Sequence, residues 1–226
     1  MIITIDGPAG AGKSTVARQL AAKLGFDYLD TGAMYRAVAL AGIDRHVDWD
    51  QPSELVAIAK RLPIRAEAGR TFVGNDDVTD AVRSAEVTEK THFAADNPDI
   101  REIMVQAQRE QTVGKNVVTE GRDQGTAVFP NAECKIFLTA TPEERARRRV
   151  REYEQQDKQR GGQASANFHE ILERINQRDA RDMGRTVGPL CEPPDAVRVV
   201  TDGMSIDDVV VRLIEIVRTR TCIALT

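Results

Sequence analysis

Gly7-Pro8-Ala9-Gly10-Ala11-Gly12-Lys13-Ser14 fits the pattern G-x-x-x-x-G-K-[ST], and Thr15 extends its polar end. It lies between an apolar strand candidate, residues 1–5, and an amphipathic helix beginning near Lys13. Glycines let the main chain curl so that successive N–H groups converge on an anion. The positive end of the following helix dipole points at the same place. Lys13 supplies a mobile cation for the outer phosphates, and the Ser14 hydroxyl a ligand for Mg²⁺. A glycine-rich turn that binds nothing requires neither the Lys-Ser pair nor the strand-to-helix setting. Gly7 through Thr15 therefore predict a site for a nucleoside triphosphate.

Working outward, Val16, Leu20 and Leu24 share one helix face, and Gly25 can end that helix. A short strand is expected over 26–29, then a helix over 33–41 stopped by Gly42, and another over 52–62. Residues 64–78 alternate and contain the turn signals Ala68-Gly69-Arg70 and Gly74-Asn75-Asp76-Asp77. They predict two or three short antiparallel strands forming a small inserted subdomain. Asn97-Pro98 opens a helix to about residue 111, and strands follow at 116–120 and 134–138. Thr141-Pro142-Glu143-Glu144 reads as a capping box with proline in the first turn. Residues 155–166, with Gly161-Gly162, form the most polar stretch and read as a loop before a helix over 168–181. A strand at 197–201 and a helix capped by Ser205 complete the pattern. Alternating strands and helices imply an α/β fold with a largely parallel, helix-covered sheet, whose ligands gather at the C-terminal strand ends.

The length of 226 residues suits one such domain with insertions, or at most two, and 41% hydrophobic residues allow a sizeable core. No apolar run approaches the roughly 18 residues of a membrane span, and the start of the chain shows no secretory leader. Three cysteines without metal-ligand spacing read as reduced thiols of a cytoplasmic protein, and the three histidines are too scattered to suggest zinc. A formal charge of −4 argues against a general nucleic-acid binder. Yet Arg145, Arg147, Arg148, Arg149 and Arg151 crowd one predicted helix. They are either a solvated face or the sign of a compact anionic ligand.

Three further constellations carry chemistry. Arg178, Arg181, Asp182 and Arg185 recur at helical spacing, as a salt-bridged surface or as cations that swing over a transferring phosphate. Glu120-Gly121-Arg122-Asp123 follows a strand at the ligand edge. It is a charged turn, or a place where Arg122 forks onto a phosphate and Asp123 accepts from an exocyclic amine. In Asp30-Thr31-Gly32-Ala33-Met34-Tyr35-Arg36, Thr31 is an N-cap or a ligand contact, and Arg36 can reach an acceptor phosphate.

Together with Gly7 to Thr15 and Arg178-Asp179-Ala180-Arg181-Asp182, these segments resemble the bacterial cytidylate kinase family from the first strand to the last helix. The resemblance implies a P-loop fold with a five-stranded parallel sheet between helical layers, an antiparallel NMP-binding insertion and a helical lid. It places the core at 1–30, 110–150 and 186–226, the NMP-binding region at 31–109 and the lid at 151–185. It implies transfer of the γ-phosphate of ATP, with Mg²⁺, to CMP or dCMP, by a monomer that engages neither nucleic acid nor membrane. Carried over by position, Thr31, Arg36, Arg101, Arg122, Asp123, Arg178, Asp182 and Arg185 would bind CMP. Lys13, Arg148, Arg149 and Arg185 would act on the transferring phosphate, and Ser14 on the metal. Two positions depart from the family pattern: His92 stands where serine often contacts the base, and Glu120 where aspartate is frequent.

Shikimate- or gluconate-type kinases are the nearest alternative, but they carry Asp-x-Asp after the second strand, where this chain has Leu29-Asp30-Thr31-Gly32. A thymidylate kinase would carry Asp-Arg-aromatic in place of Gly121-Arg122-Asp123. A regulatory nucleotide-binding module would hydrolyse ATP without regard to any monophosphate.

Overall fold

β1 (Ile2–Asp6) is buried from its second residue onward, as a central strand covered on both faces must be. In the computed structural model, which describes residues 1–67, 69–159 and 167–221, β1 lies in the middle of a five-stranded sheet. Ala68 of the expected first turn, residues 160–166 of the polar stretch and Cys222 lie outside the described residues. β1 pairs in parallel with β6 (Val117–Gly121) on one side and β7 (Cys134–Thr139) on the other. β2 (Asp27–Asp30) flanks β6 and β8 (Val197–Val200) flanks β7, both in parallel. The order β2-β6-β1-β7-β8 brings all five C-terminal ends to one edge.

α1 (Lys13–Leu24) and α8 (Ile206–Thr221) cover one face. Val16 and Leu20 meet Leu213 and Val217 over Ile3, Ile5, Val118 and Ile136 in one apolar cluster. Gly25 ends α1 in the left-handed region, φ 67°, as expected. Ser205 and Asp208 cap α8 reciprocally, Asp208 N–H on Ser205 Oγ and Ser205 Oγ–H on Asp208 Oδ2.

The second cluster belongs to residues inserted after β2. α2 (Thr31–Asp44), α3 (Pro52–Ala59), α4 (Ala85–Ala95) and α5 (Pro98–Thr112) enclose Met34, Val38, Leu55, Ala94, Ile100 and Met104. Leu29 and Val117 of the main sheet join them, so the insertion is rooted on that sheet's edge. β3 (Ile64–Glu67), β4 (Arg70–Val73) and β5 (Asp76–Asp77) form the expected antiparallel sheet. α2 does not stop at Gly42: Leu55 and Trp49 pack on its bare backbone and the helix runs two residues further. α3 ends earlier than its apolar pattern suggested, the chain turning at Lys60 and Arg61. α4 carries no strong periodicity and was not foreseen; Ser84 caps it by accepting the Val87 N–H.

α6 (Pro142–Gln159) and α7 (Phe168–Met183) lie between β7 and β8 in the chain and pack against each other. α6 extends through residues 155–159, expected as loop. At its start the Glu144 N–H reaches Thr141 Oγ1 at 3.3 Å, but Asp202 takes the other half of the capping box, accepting both Thr141 N–H and hydroxyl.

Candidate active site

An open cleft of about 840 Å³ lies at the C-terminal edge of the sheet. Its first wall is the phosphate loop, which turns with positive φ at Gly7, Gly10 and Gly12. Gly7 is held by space as well as conformation, since a Cβ there would overlap the Leu138 carbonyl of β7. Lys13 folds back along the loop and donates to the Pro8 carbonyl at 2.8 Å. Burial, reinforced by Arg122 and opposed by Glu120, pulls its ammonium down to about 7. Arg145, buried in α6, braces the loop from behind: it donates to the Ala9 carbonyl at 3.0 Å and pairs with Asp179 of α7 at 2.6 Å.

β6 supplies the floor. Ser14 Oγ donates to Glu120 Oε1 at 2.8 Å, so hydroxyl and carboxylate stand side by side beneath the loop. Thr31 Oγ1 donates to the Glu120 main-chain carbonyl at 2.7 Å. Thr31 is not the N-cap of α2. Asp30 is, accepting the Ala33 N–H at 2.8 Å, and the same carboxylate draws in Arg36 at 3.4 Å and Arg83 at 3.5 Å.

At the far end Arg101 and Asp123 form a buried ion pair. Arg101 also donates to the Ala95 carbonyl at 3.2 Å and lies 5.5 Å from the Tyr35 ring centroid. Burial raises the Asp123 carboxyl above its ordinary value, against the pull of Arg101, Arg185 and Arg122. Gly188, at φ 60°, passes so close that a Cβ would overlap both the Arg101 guanidinium and the Asp123 carboxylate.

Between these ends stands a cluster of arginines. Asp182 accepts from Arg122 Nε at 2.7 Å and Arg185 Nη2 at 2.7 Å, while Arg185 Nε reaches Asp96 at 2.6 Å. Burial works to raise the Asp182 carboxyl, but Arg122 and Arg185 outweigh it and hold it low. Arg178 lines the cleft with part of its side chain exposed; desolvation there and Arg122 bring it down to about 10, with Asp182 opposing. Arg148 is anchored on Thr201, Nη1 to its hydroxyl at 3.0 Å. Arg149 pairs with Glu152 at 3.1 Å.

The cleft thus brings together residues far apart in sequence: Lys13, Ser14, Thr31, Arg36, Arg101, Arg122, Asp123, Arg148, Arg149, Arg178, Asp182 and Arg185 all line it, as do residues 9–12 and Thr15. Gly7 and Pro8, at the start of the loop, do not line the cleft. The expected face of α7 divides: Arg181 is exposed and does not line the cleft, and Arg185 follows Gly184 beyond the helix end. His92 does not line it either. Its Nδ1 lies 2.7 Å from the Glu89 carbonyl and its ring packs beside Phe93 at a second cavity, while neighbouring Thr91 lines the main one. The cap was expected at Thr31, although an aspartate directly before a helix is itself a cap signal; Arg145 was marked only as one of a run of arginines, and buried Asp6 carried no pattern that marked it.

A phosphate loop, a hydroxyl–carboxylate pair under it and converging arginines at the edge of a parallel sheet define a P-loop phosphotransferase. The fold is shared with a shikimate kinase from Bacteroides thetaiotaomicron, with a TM-score of 0.50 at 16% identity over 96% of this chain and 98% of that one. The family model for cytidylate kinase matches residues 3–219. Proteins named cytidylate kinase from Rhodopirellula baltica and Halalkalibacterium halodurans are 47% and 44% identical to it. The first alignment covers 96% of this chain and 93% of the relative, the second 97% and 98%. The chain belongs to the cytidylate kinase family, and is a kinase. Among the described residues no helix is long and apolar enough to cross a membrane.

Proposed function

We infer that this enzyme transfers the γ-phosphate of ATP to CMP or dCMP, with the donor on the phosphate loop and the acceptor base against Asp123. One observation carries the choice of acceptor: the Arg101–Asp123 pair buried at the cleft's far end. A carboxylate there accepts from the exocyclic amine of cytosine, while Arg101 donates to its ring acceptors. Uracil presents a carbonyl where cytosine presents that amine, so two acceptors would face each other. Leaving a buried polar group so mismatched costs about 1–3 kcal/mol.

No covalent intermediate is needed, because the acceptor phosphate oxygen is already anionic at neutral pH. The protein aligns the two nucleotides, excludes water and neutralises charge. Lys13 serves the outer phosphates of the donor; Arg36 and Arg185 hold the acceptor phosphate; Arg148 and Arg149, with Arg185, act on the migrating group. Arg178 and Asp182 address the sugar, and Thr31 and Arg122 the acceptor's phosphate and base. So many arginines in one cleft of an acidic chain focus positive potential on the two phosphates.

The donor set fits Mg²⁺. Ser14 and Glu120 offer two hard oxygens, and among the described residues no group of three or more His, Cys, Asp or Glu converges as a protein-only cage. An ion held by a hydroxyl, phosphate oxygens and waters requires no more. When bound it would neutralise charge on the donor phosphates. Residues 31–109 act as the NMP-binding region and 151–185 as the lid of a monomeric, cytoplasmic enzyme.

Asp123→Ala tests the acceptor reading. KM for CMP is expected to rise about tenfold or more, the equivalent of one lost charged hydrogen bond, with KM for ATP little changed. Equal effects on both substrates would refute it.

A further inference from the structure

Asp123 occupies the N-cap position of the helical turn Gln124–Val128, and its carbonyl accepts the Ala127 and Val128 N–H groups as an N-cap carbonyl does. Aspartate is among the best N-cap residues because its side chain satisfies the first free N–H groups of a helix. Here that side chain makes no capping bond. It pairs with Arg101 instead. The capping is done from another strand. Asp6, fully buried at the end of β1, accepts the Gln124 N–H on Oδ1 at 2.8 Å and the Gly125 N–H on Oδ2 at 2.7 Å.

We propose that Asp6 is a positioning residue for acceptor recognition: by capping the Gln124–Val128 turn in place of Asp123, it frees the Asp123 carboxylate to face the acceptor base. This rests on Asp123 as the base-reading residue. Without Asp6, two buried N–H groups lack acceptors, and the Asp123 carboxylate, already at the N-cap position, can serve them only by turning away from Arg101. The main chain of Asp6 leads directly into Gly7, so the same residue sets the turn that carries Asp123 against the start of the phosphate loop.

Asp6→Asn tests this, since a carboxamide has nearly the same shape but one acceptor instead of two. KM for CMP is expected to rise about tenfold, and the preference for CMP over UMP to narrow, while KM for ATP changes less than about twofold. In an Asp123→Ala background the same substitution should add nothing to KM for CMP, because its route of action is gone. A uniform loss in kcat with KM for CMP unchanged, or a full additive effect on KM in the double variant, overturns the proposal. If Asp123→Ala alone leaves KM for CMP untouched, it is the base-reading role that fails. Should the Asp6 variant not fold, amide exchange in the unaltered enzyme decides: Gln124 and Gly125 N–H groups protected like the core support the cap, and rapid exchange overturns it.

Discussion

Arg122 Nε and Asp182 Oδ2 lie 2.7 Å apart, and through that bond the loop after β6 is tied to the end of α7. Arg185 completes the arrangement on the other oxygen of the same carboxylate. One buried aspartate therefore orders two arginines that would otherwise repel each other across the cleft. It also joins the loop at the end of β6 to α7 across the cleft.

This geometry has a pH signature. Asp182 is held below the ordinary aspartate value of 3.8 in the folded protein, so its contribution to stability is complete above that value. It is lost as pH falls through the lower folded value. Asp182→Asn should lower stability at pH 7 and leave a shallower acid limb below about pH 4. Denaturant unfolding at several pH values checks this; identical acid limbs in the two proteins would contradict it.

Lys13 gives a second titration. In the free protein its ammonium is drawn down to about 7, and an arriving triphosphate restores the charge. Nucleotide binding at pH 8 should take up a proton, approaching about one per site, and much less at pH 6. Calorimetry in buffers of different ionisation enthalpy measures the uptake, with Lys13→Arg as the control that lacks it. No difference between the two proteins would count against the assignment.

How far these features could be read from the chain differed by kind. Local chemistry was plain: the phosphate loop, the Gly25 stop, the Asn97-Pro98 start and the antiparallel insertion each rest on neighbours in sequence. Arg122, Asp123, Arg178 and Asp182 followed from their placement at a strand end or on a helix, supported by the family resemblance. What escaped notice depends on partners far away. Arg145 stood in a run of similar arginines, and only folding separates it, buried on Asp179, from exposed Arg147. His92 and Thr91 differ by one residue, and about 100° of helical rotation separates neighbours, enough to decide which lines the cleft. Asp6 reads as the last residue of a strand, because both groups it holds lie more than a hundred residues downstream.

Gly188 offers a test of crowding at the acceptor end. Gly188→Ala places a methyl group against the Arg101–Asp123 pair and a side chain in the left-handed region at φ 60°. A loss of about 1–3 kcal/mol in stability is expected from the backbone alone. KM for CMP should rise as well, with KM for ATP spared. Thermal unfolding and steady-state kinetics together check this, and a variant with unaltered stability and CMP kinetics would show that the loop does not press on the pair.

The most direct test of the central assignment is ADP release followed across CMP, dCMP, UMP, AMP, GMP and dTMP at fixed Mg-ATP. CMP and dCMP are expected to give the highest kcat/KM, with UMP lower by about tenfold or more because its carbonyl meets the Asp123 carboxylate. ATP turnover that is indifferent to the monophosphate, or that favours another base over cytosine, would contradict the assignment of this cleft to cytidine nucleotides.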